Sequence, residues 1–195
     1  MISSKKNILL LHSSNDLYGA SKIFLQLIDL FISKDFHVHV VLPEKGKLDN
    51  FLNKKDITLS YHKLGVLRKK YLNLLGLINR LVTNIKAIKF LSNYIKNHSI
   101  NLVYTNTSTI LCGGIAAKKN SIPSLFHIHE VPTGNCLYEI FSGKIINRIS
   151  HKVLAVSNSV KNHWLKNIDE YKIERIYNGI EYKKMDSVIK LEKDH

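Results

Sequence analysis

Cysteine is scarce in this chain. The two present, Cys112 and Cys136, have neither the spacing of metal ligands nor the density of a disulfide framework. That excludes a zinc-ribbon module and a small disulfide-stapled domain, and both thiols are expected as core or helix residues in a reducing compartment. Long apolar runs are missing as well. No window holds about 18 uninterrupted apolar residues, and no N-terminal segment joins a basic start, an apolar run and a small-residue cleavage site. The expectation is a cytoplasmic chain that does not span a membrane. The fingerprint Gly-x-Gly-x-x-Gly is absent from the turn after the first strand, which excludes ordinary dinucleotide recognition there. Acidic residues are few: 15 Asp+Glu against 29 Lys+Arg leave a net charge of +14. Such an excess favours anionic partners, whether phosphates, nucleic acid or an acidic lipid surface.

What is present fits one α/β domain. The 195 residues, 45% hydrophobic and 23% charged, suit a single soluble globule with a core of useful size. Its organising stretch runs from Asn7 to Ile32. Ile8-Leu9-Leu10-Leu11 reads as a strand buried on both faces, as in a parallel sheet. A polar turn from His12 to Gly19 leads into a helix at Ala20-Ser21, with Ile23, Phe24, Leu27, Ile28, Leu30 and Phe31 as its apolar side. Gly19 at the helix entrance either lets a ligand approach the backbone N–H groups or simply makes the turn.

Further along, strands are predicted at Val38–Leu42, stopped by Pro43, and at Ile57–Tyr61, with a short helix over residues 46–54 between them. Residues 67–97 hold apolar side chains at three- and four-residue steps (Leu74, Ile78, Leu81, Ile85, Ile88, Leu91, Ile95), which predicts one long helix or two with a break at Gly76. A fourth strand at residues 101–105 precedes the small-residue run Cys112–Ala117, expected to pack tightly on the sheet. A fifth strand follows at residues 124–129. A helix over residues 137–149 and a sixth strand at residues 152–156 come next, and Ser157-Asn158-Ser159 caps another helix. A short strand at residues 174–177 ends the pattern. The alternation predicts a doubly wound, mostly parallel sheet of about seven strands.

In such sheets ligands sit outside the carboxyl ends of the strands. Those ends carry Ser13, Asn15 and Gly19; Asn106, Thr107 and Ser108; His129 and Glu130; Ser157 and Asn158; and Asn178 and Gly179. This rim of hydroxyls and amides, with one imidazole and one carboxylate, suits sugars and phosphates better than an apolar ligand. The alternative is the general polarity of loops.

Four stretches in order carry a family resemblance: Tyr18-Gly19-Ala20-Ser21, Phe126-His127-Ile128-His129-Glu130, Leu154-Ala155-Val156-Ser157-Asn158-Ser159-Val160-Lys161 and Arg175-Ile176-Tyr177-Asn178-Gly179-Ile180-Glu181. Together they resemble the N-terminal, acceptor-side lobe of retaining nucleotide-sugar glycosyltransferases of the GT-B fold. The likeness implies that Gly19 and Ala20 face the donor diphosphate and that His129 touches the transferred sugar near its reacting carbon. Asn15, Asn106, Thr107, Glu130 and Ser157 would line the substrate cleft, with Glu130 either bonding the acceptor or orienting a loop. His127 is expected deeper in the core as a structural residue. Three positions depart from the family pattern: Tyr18 stands for glycine, Ser21 for an acidic residue and Tyr177 for proline.

The resemblance further implies residues 1–181 as the acceptor-binding lobe and residues 182–195 as an interlobe linker or tail. The donor-binding lobe with its Glu-x7-Glu motif is absent from this sequence and is expected from the same or a separate chain. The donor would be a UDP- or GDP-sugar, bound poorly by this lobe alone, without metal. The acceptor would be a glycan or lipid-linked hydroxyl. The basic residues Arg68, Lys69 and Lys70, ahead of the long amphipathic segment, are expected to face an anionic membrane, placing the protein peripherally on the inner face. Two rivals remain: a non-catalytic membrane-recruiting subunit and a nucleic-acid-binding domain. Charge alone supports the latter, because no RNA-recognition signature or aromatic ladder accompanies it.

Overall fold

A computed structural model describes residues 5–67, 71, 73–132 and 136–179, with the backbone alone for residues 74 and 136–138. The expected tail at 182–195, the basic triplet Arg68-Lys69-Lys70 and the pair Ile180-Glu181 lie outside the described residues.

The chain alternates strand and helix: β1 (Asn7–Leu11), α1 (Gly19–Ser33), β2 (His37–Leu42), α2 (Asp49–Leu52), β3 (Ile57–Tyr61), α3 (Leu74–Asn97) and β4 (Ile100–Thr105). It continues with α4 (Cys112–Lys119), β5 (Ser124–Ile128), α5 (Cys136–Ile149), β6 (Lys152–Ala155), α6 (Asn158–Trp164), a short 3-10 turn (Glu170–Lys172) and β7 (Ile173–Arg175). The seven strands form one sheet in the order β3-β2-β1-β4-β5-β6-β7. Every pairing is parallel. The winding direction reverses between β1 and β4, so that junction is the topological switch point, outside which sheets of this kind bind their ligands.

Period-two alternation divides the core. Leu9, Leu11, Val41 and Val103 pack against α3 and α4. Ile8, Leu10, Val38, Val40 and Tyr104 face the other way, onto Phe24 and Ile28 of α1. Toward β7, Phe126, Ile128, Val153 and Ala155 gather Ile146, Val160 and Trp164. The small residues of α4 let it sit close to the sheet. A Cβ on Gly113 would meet Leu11 Cδ1 at 2.2 Å, and one on Gly114 would meet Phe126 and Ile149 at 2.8 Å. Cys112 is buried, and burial pushes its thiol up to about 12, leaving it unreactive.

Three expectations need correction. The helix expected over 46–54 shrinks to Asp49–Leu52, because Asn15 and Asp49 take the backbone N–H groups of Leu48 and Gly46 into side-chain hydrogen bonds. The long helix starts at Leu74 and not near 67, capped by the Asn73 side chain accepting from Gly76 N at 2.7 Å; of the two alternatives it is the single helix, unbroken through Gly76. The apolar stripe of that helix is not one face. Leu91 and Ile95 are buried, whereas Ile78, Leu81 and Ile85 are exposed.

Candidate active site

Each residue of the polar rim follows the carboxyl end of a strand, so the parallel sheet delivers all of them to one end of the molecule. Asn106 sits at the switch point: its backbone N–H donates to Leu11 O at 2.9 Å, which ties the end of β4 to the end of β1. Its side chain is almost wholly buried and makes three contacts. Nδ2 lies 3.2 Å from the carbonyl of Ala20 and 3.2 Å from Nδ1 of His12, and Oδ1 lies 2.9 Å from Nε2 of His129.

The directions of these hydrogen bonds follow from one fixed acceptor. The Ala20 carbonyl can only accept, so the Asn106 NH2 must face it and Oδ1 must face His129. His129 therefore carries its proton on Nε2, which donates to Asn106. His12 Nδ1 accepts from Asn106, leaving the His12 proton on Nε2, 3.0 Å from Ser21 Oγ. Ser21 in turn donates to the Asp16 carbonyl at 2.6 Å. A one-way chain thus runs from His129 through Asn106, His12 and Ser21 to the turn that precedes α1.

The rings along it are neutral at pH 7. Burial lowers His12 to about 4, with His129 adding repulsion, and Phe24 stacks on its ring at 4.8 Å. Burial also lowers His129, against an opposing pull from the Glu130 carboxylate. His127 lies deeper on the same side of β5, as expected. Its Nδ1 is 2.9 Å from the Tyr104 hydroxyl, its Nε2 has no hydrogen-bond partner among the described residues, and burial lowers it to about 3. The His127 and His129 rings pack at 4.2 Å.

Glu130 faces inward. Its Oε1 accepts from Thr107 Oγ1 at 3.0 Å, Ser108 N at 2.8 Å and Ser108 Oγ at 2.6 Å, and Oε2 accepts from His129 N at 3.1 Å. Of the two roles open to it, orienting a loop is the one these contacts describe: the carboxylate ties the loop after β4 to the end of β5. Thr107 is buried within that clamp. Trp164 Nε1 donates to the Glu130 carbonyl at 3.2 Å, bracing it from α6.

Asn15 is buried away from the relay. Its amide donates to Glu44 O at 2.8 Å and Asp49 Oδ1 at 2.7 Å and accepts from Leu48 N at 2.8 Å, which pins the loop after β2. Ser157 caps α6 by accepting from Val160 N at 3.2 Å. Gly19 and Ala20 form the first turn of α1. Tyr18 supplies no side-chain cap, that turn holds no acidic residue, and a Cβ on Gly19 would meet nothing within 4 Å. An uncapped helix start with open space before it favours an anion.

Sequence reasoning missed His12 and Ser21. The available signal was position: His12 directly follows β1 at the switch point, and Ser21 stands at the family's acidic position. It also missed a polar recess of about 370 Å3 beyond β1, β2 and β3, where Ser13, Glu44, Lys63 and Arg80 converge. Among the described residues no group of His, Cys, Asp and Glu could hold a metal ion, and no helix is long and apolar enough to cross a membrane.

Residues 18–184 match the family model described as Glycosyltransferase Family 4. No curated protein sequence matches the chain. Solved GT-B glycosyltransferases share the fold. HepE of Anabaena in complex with UDP and glucose superposes with a TM-score of 0.67 at 19% identity, covering 90% of this chain and 45% of HepE. A glycosyltransferase of Rickettsia africae gives 0.68 at 20% identity, covering 97% and 50%. The lipopolysaccharide outer core galactosyltransferase WaaB gives 0.60 at 15% identity, covering 90% and 46%. The chain spans about half the length of these proteins.

Proposed function

This chain belongs to Glycosyltransferase Family 4, and we propose that residues 1–181 act as the acceptor-side lobe of a retaining enzyme. The reaction moves a sugar from a nucleoside diphosphate to a hydroxyl of a glycan or lipid-linked acceptor. The anomeric carbon loses its bond to the diphosphate and gains one to the acceptor oxygen, and the hydroxyl proton is released. A donor-binding lobe, in the same polypeptide or another, completes the cleft, with residues 182–195 leading toward it. The bound UDP of HepE makes a UDP-sugar the first donor to test, ahead of a GDP-sugar.

The observation that carries this reading is the hydrogen bond from His129 to Asn106, beside the uncapped start of α1. His129, neutral and fixed in orientation, contacts the transferred sugar near its reacting carbon. The free N–H groups at Gly19 and Ala20 and the positive end of the helix dipole stabilise the diphosphate as negative charge develops on it. Asn106 and Ala20 hold His129 and the diphosphate site in register through their shared contact. Glu130, Thr107 and Ser157 shape the wall without touching the reacting atoms.

The experiment is release of nucleoside diphosphate from UDP- and GDP-sugars by this lobe together with its donor-binding lobe. Replacing His129 with alanine lowers turnover on the order of 10²-fold without unfolding the protein. Unchanged turnover removes the role given to His129.

A further inference from the structure

Helix α3 has two apolar faces. In its second half Ala87, Leu91, Tyr94 and Ile95 are buried against the sheet. In its first half Leu75, Ile78, Leu81, Val82 and Ile85 point elsewhere. At 3.6 residues per turn these five fall within about a third of the helix circumference, on the side away from the buried set. Leu75 is 79% exposed, Leu81 63% and Ile85 58%. Beside them an apolar groove of about 430 Å3 separates α3 from α4 and α5, floored by Ile88, Leu111, Ile115 and Ile145. Phe141 of α5 stands at its rim, 60% exposed. A contiguous apolar surface of this kind marks a place where something binds.

Charge says what. Between Asp56 and Glu130 the sequence contains no acidic residue and ten Lys or Arg. Lys86 and Lys89 continue the outward side of α3 just past Ile85, and Lys144 lies one turn from Phe141; all three are exposed. A second copy docking face to face would oppose these lysines to their own equivalents, with no carboxylate on α3 to offset them. An anionic phospholipid surface supplies the missing negative charge, and its acyl region takes the aliphatic side chains.

We propose that this face docks the chain on an anionic bilayer, with Leu75, Ile78, Leu81, Val82, Ile85 and Phe141 below the headgroups and Lys86, Lys89 and Lys144 among the phosphates. The orientation bears on the acceptor, a step that rests on the function proposed above. The first half of α3 lies beside the carboxyl ends of the strands: Asn84 Nδ2 donates to Gly65 O at 3.2 Å, and Leu67 N donates to Thr109 O at 3.0 Å. Arg80, its guanidinium 4.1 Å from the Tyr71 ring, lines both the apolar groove and the polar recess. A chain docked this way opens its cleft next to the membrane, so the acceptor is a hydroxyl carried on a lipid.

Co-sedimentation with vesicles of neutral phosphatidylcholine, and with vesicles made in equal parts of phosphatidylcholine and phosphatidylglycerol, tests the docking without donor or acceptor. The expected result is preferential binding to the anionic vesicles that weakens as salt rises. The double variant Leu81→Asp/Ile85→Asp binds them at least about tenfold more weakly. Lys86→Gln/Lys89→Gln loses the anionic preference, and His129→Ala binds like the parent. Thermal melts of both surface variants match the parent, because the altered side chains are exposed. Equal binding to neutral vesicles, no binding, or aspartate variants that bind normally would overturn the proposal. So would a dimer in analytical ultracentrifugation that Leu81→Asp/Ile85→Asp converts to monomer, since a second copy would then own the face. Loss of transfer in His129→Ala with vesicle binding intact separates the two readings.

Discussion

Asn106 Oδ1 lies 2.9 Å from Nε2 of His129, while the other end of the same amide is held by the carbonyl of Ala20. Because that carbonyl cannot donate, the pair fixes the tautomer of His129, and through Nδ2 that of His12 as well. Long-range proton–nitrogen correlation spectra of the histidine rings therefore show the proton on Nε2 in both. Asn106→Ala frees both rings, and the expected spectra show mixed tautomers at both positions. It also strands buried polar groups, at a stability cost of about 1–3 kcal/mol. A protonated Nδ1 on His129 in the parent protein would break the relay as drawn.

Glu130 is the clamp between two loops, and it accepts four hydrogen bonds within 3.1 Å. Glu130→Ala removes the acceptor and leaves the Ser108 and His129 N–H groups and two hydroxyls to find water. A loss of about 2–3 kcal/mol in chemical denaturation is expected, since bonds to a charged acceptor exceed the neutral average. Glu130→Gln keeps one acceptor oxygen and loses less. Equal losses in both variants would show that Glu130 stabilises by packing and not by accepting.

Much of this was legible in the sequence, and what was not has physical causes. Strand and helix alternation identifies all seven strands because each is short and bounded by turn residues, and all but the charged edge strand β7 are mostly apolar. The rim was legible because parallel winding sends every strand end to the same side. Side-chain direction was not: Asn15 reads as a cleft residue by position yet bonds inward to the loop after β2, and only its contacts separate the two roles open to Glu130. His12 went unnoticed because a histidine in a turn carries no signal until β4 places Asn106 beside it. On α3 the apolar spacing of Ile78, Leu81 and Ile85 is the same whether a stripe meets the core or leaves it, so periodicity alone could not separate the two faces. The tail at 182–195 and the basic residues 68–70 stay expectations from sequence.

Acid should destabilise the fold well before the carboxylates titrate. In the folded chain burial holds His12 near 4 and His127 near 3, against an ordinary value of 6.5. The unfolded chain therefore binds more protons than the folded one below about 6.5. The sign follows: stability is fully present above that value and is lost as pH falls toward 4, by about 1.4 kcal/mol per pH unit for each such histidine. Calorimetric melts at pH 7, 6 and 5 check this. His127→Gln, which cannot take up the proton, flattens the decline by one histidine's share, and an unchanged slope would locate the acid sensitivity elsewhere.

Two glycines give opposite expectations and together test the helix-entrance site. At Gly114 an added methyl meets Phe126 Cε2 and Ile149 Cδ1 at 2.8 Å in the core, so Gly114→Ala forces α4 off the sheet and costs about 1–3 kcal/mol. At Gly19 the same methyl meets nothing within 4 Å. Gly19→Ala therefore leaves the melting temperature unchanged or slightly raised, because alanine also favours the first turn of α1. Its methyl projects into the space where the diphosphate would lie against the helix N–H groups. In the two-lobed enzyme Gly19→Ala raises KM for the nucleotide sugar and lowers turnover while the fold holds. Normal kinetics in a normally folded Gly19→Ala would mean that the glycine serves only the turn, and the diphosphate contact would have to be sought at another strand end.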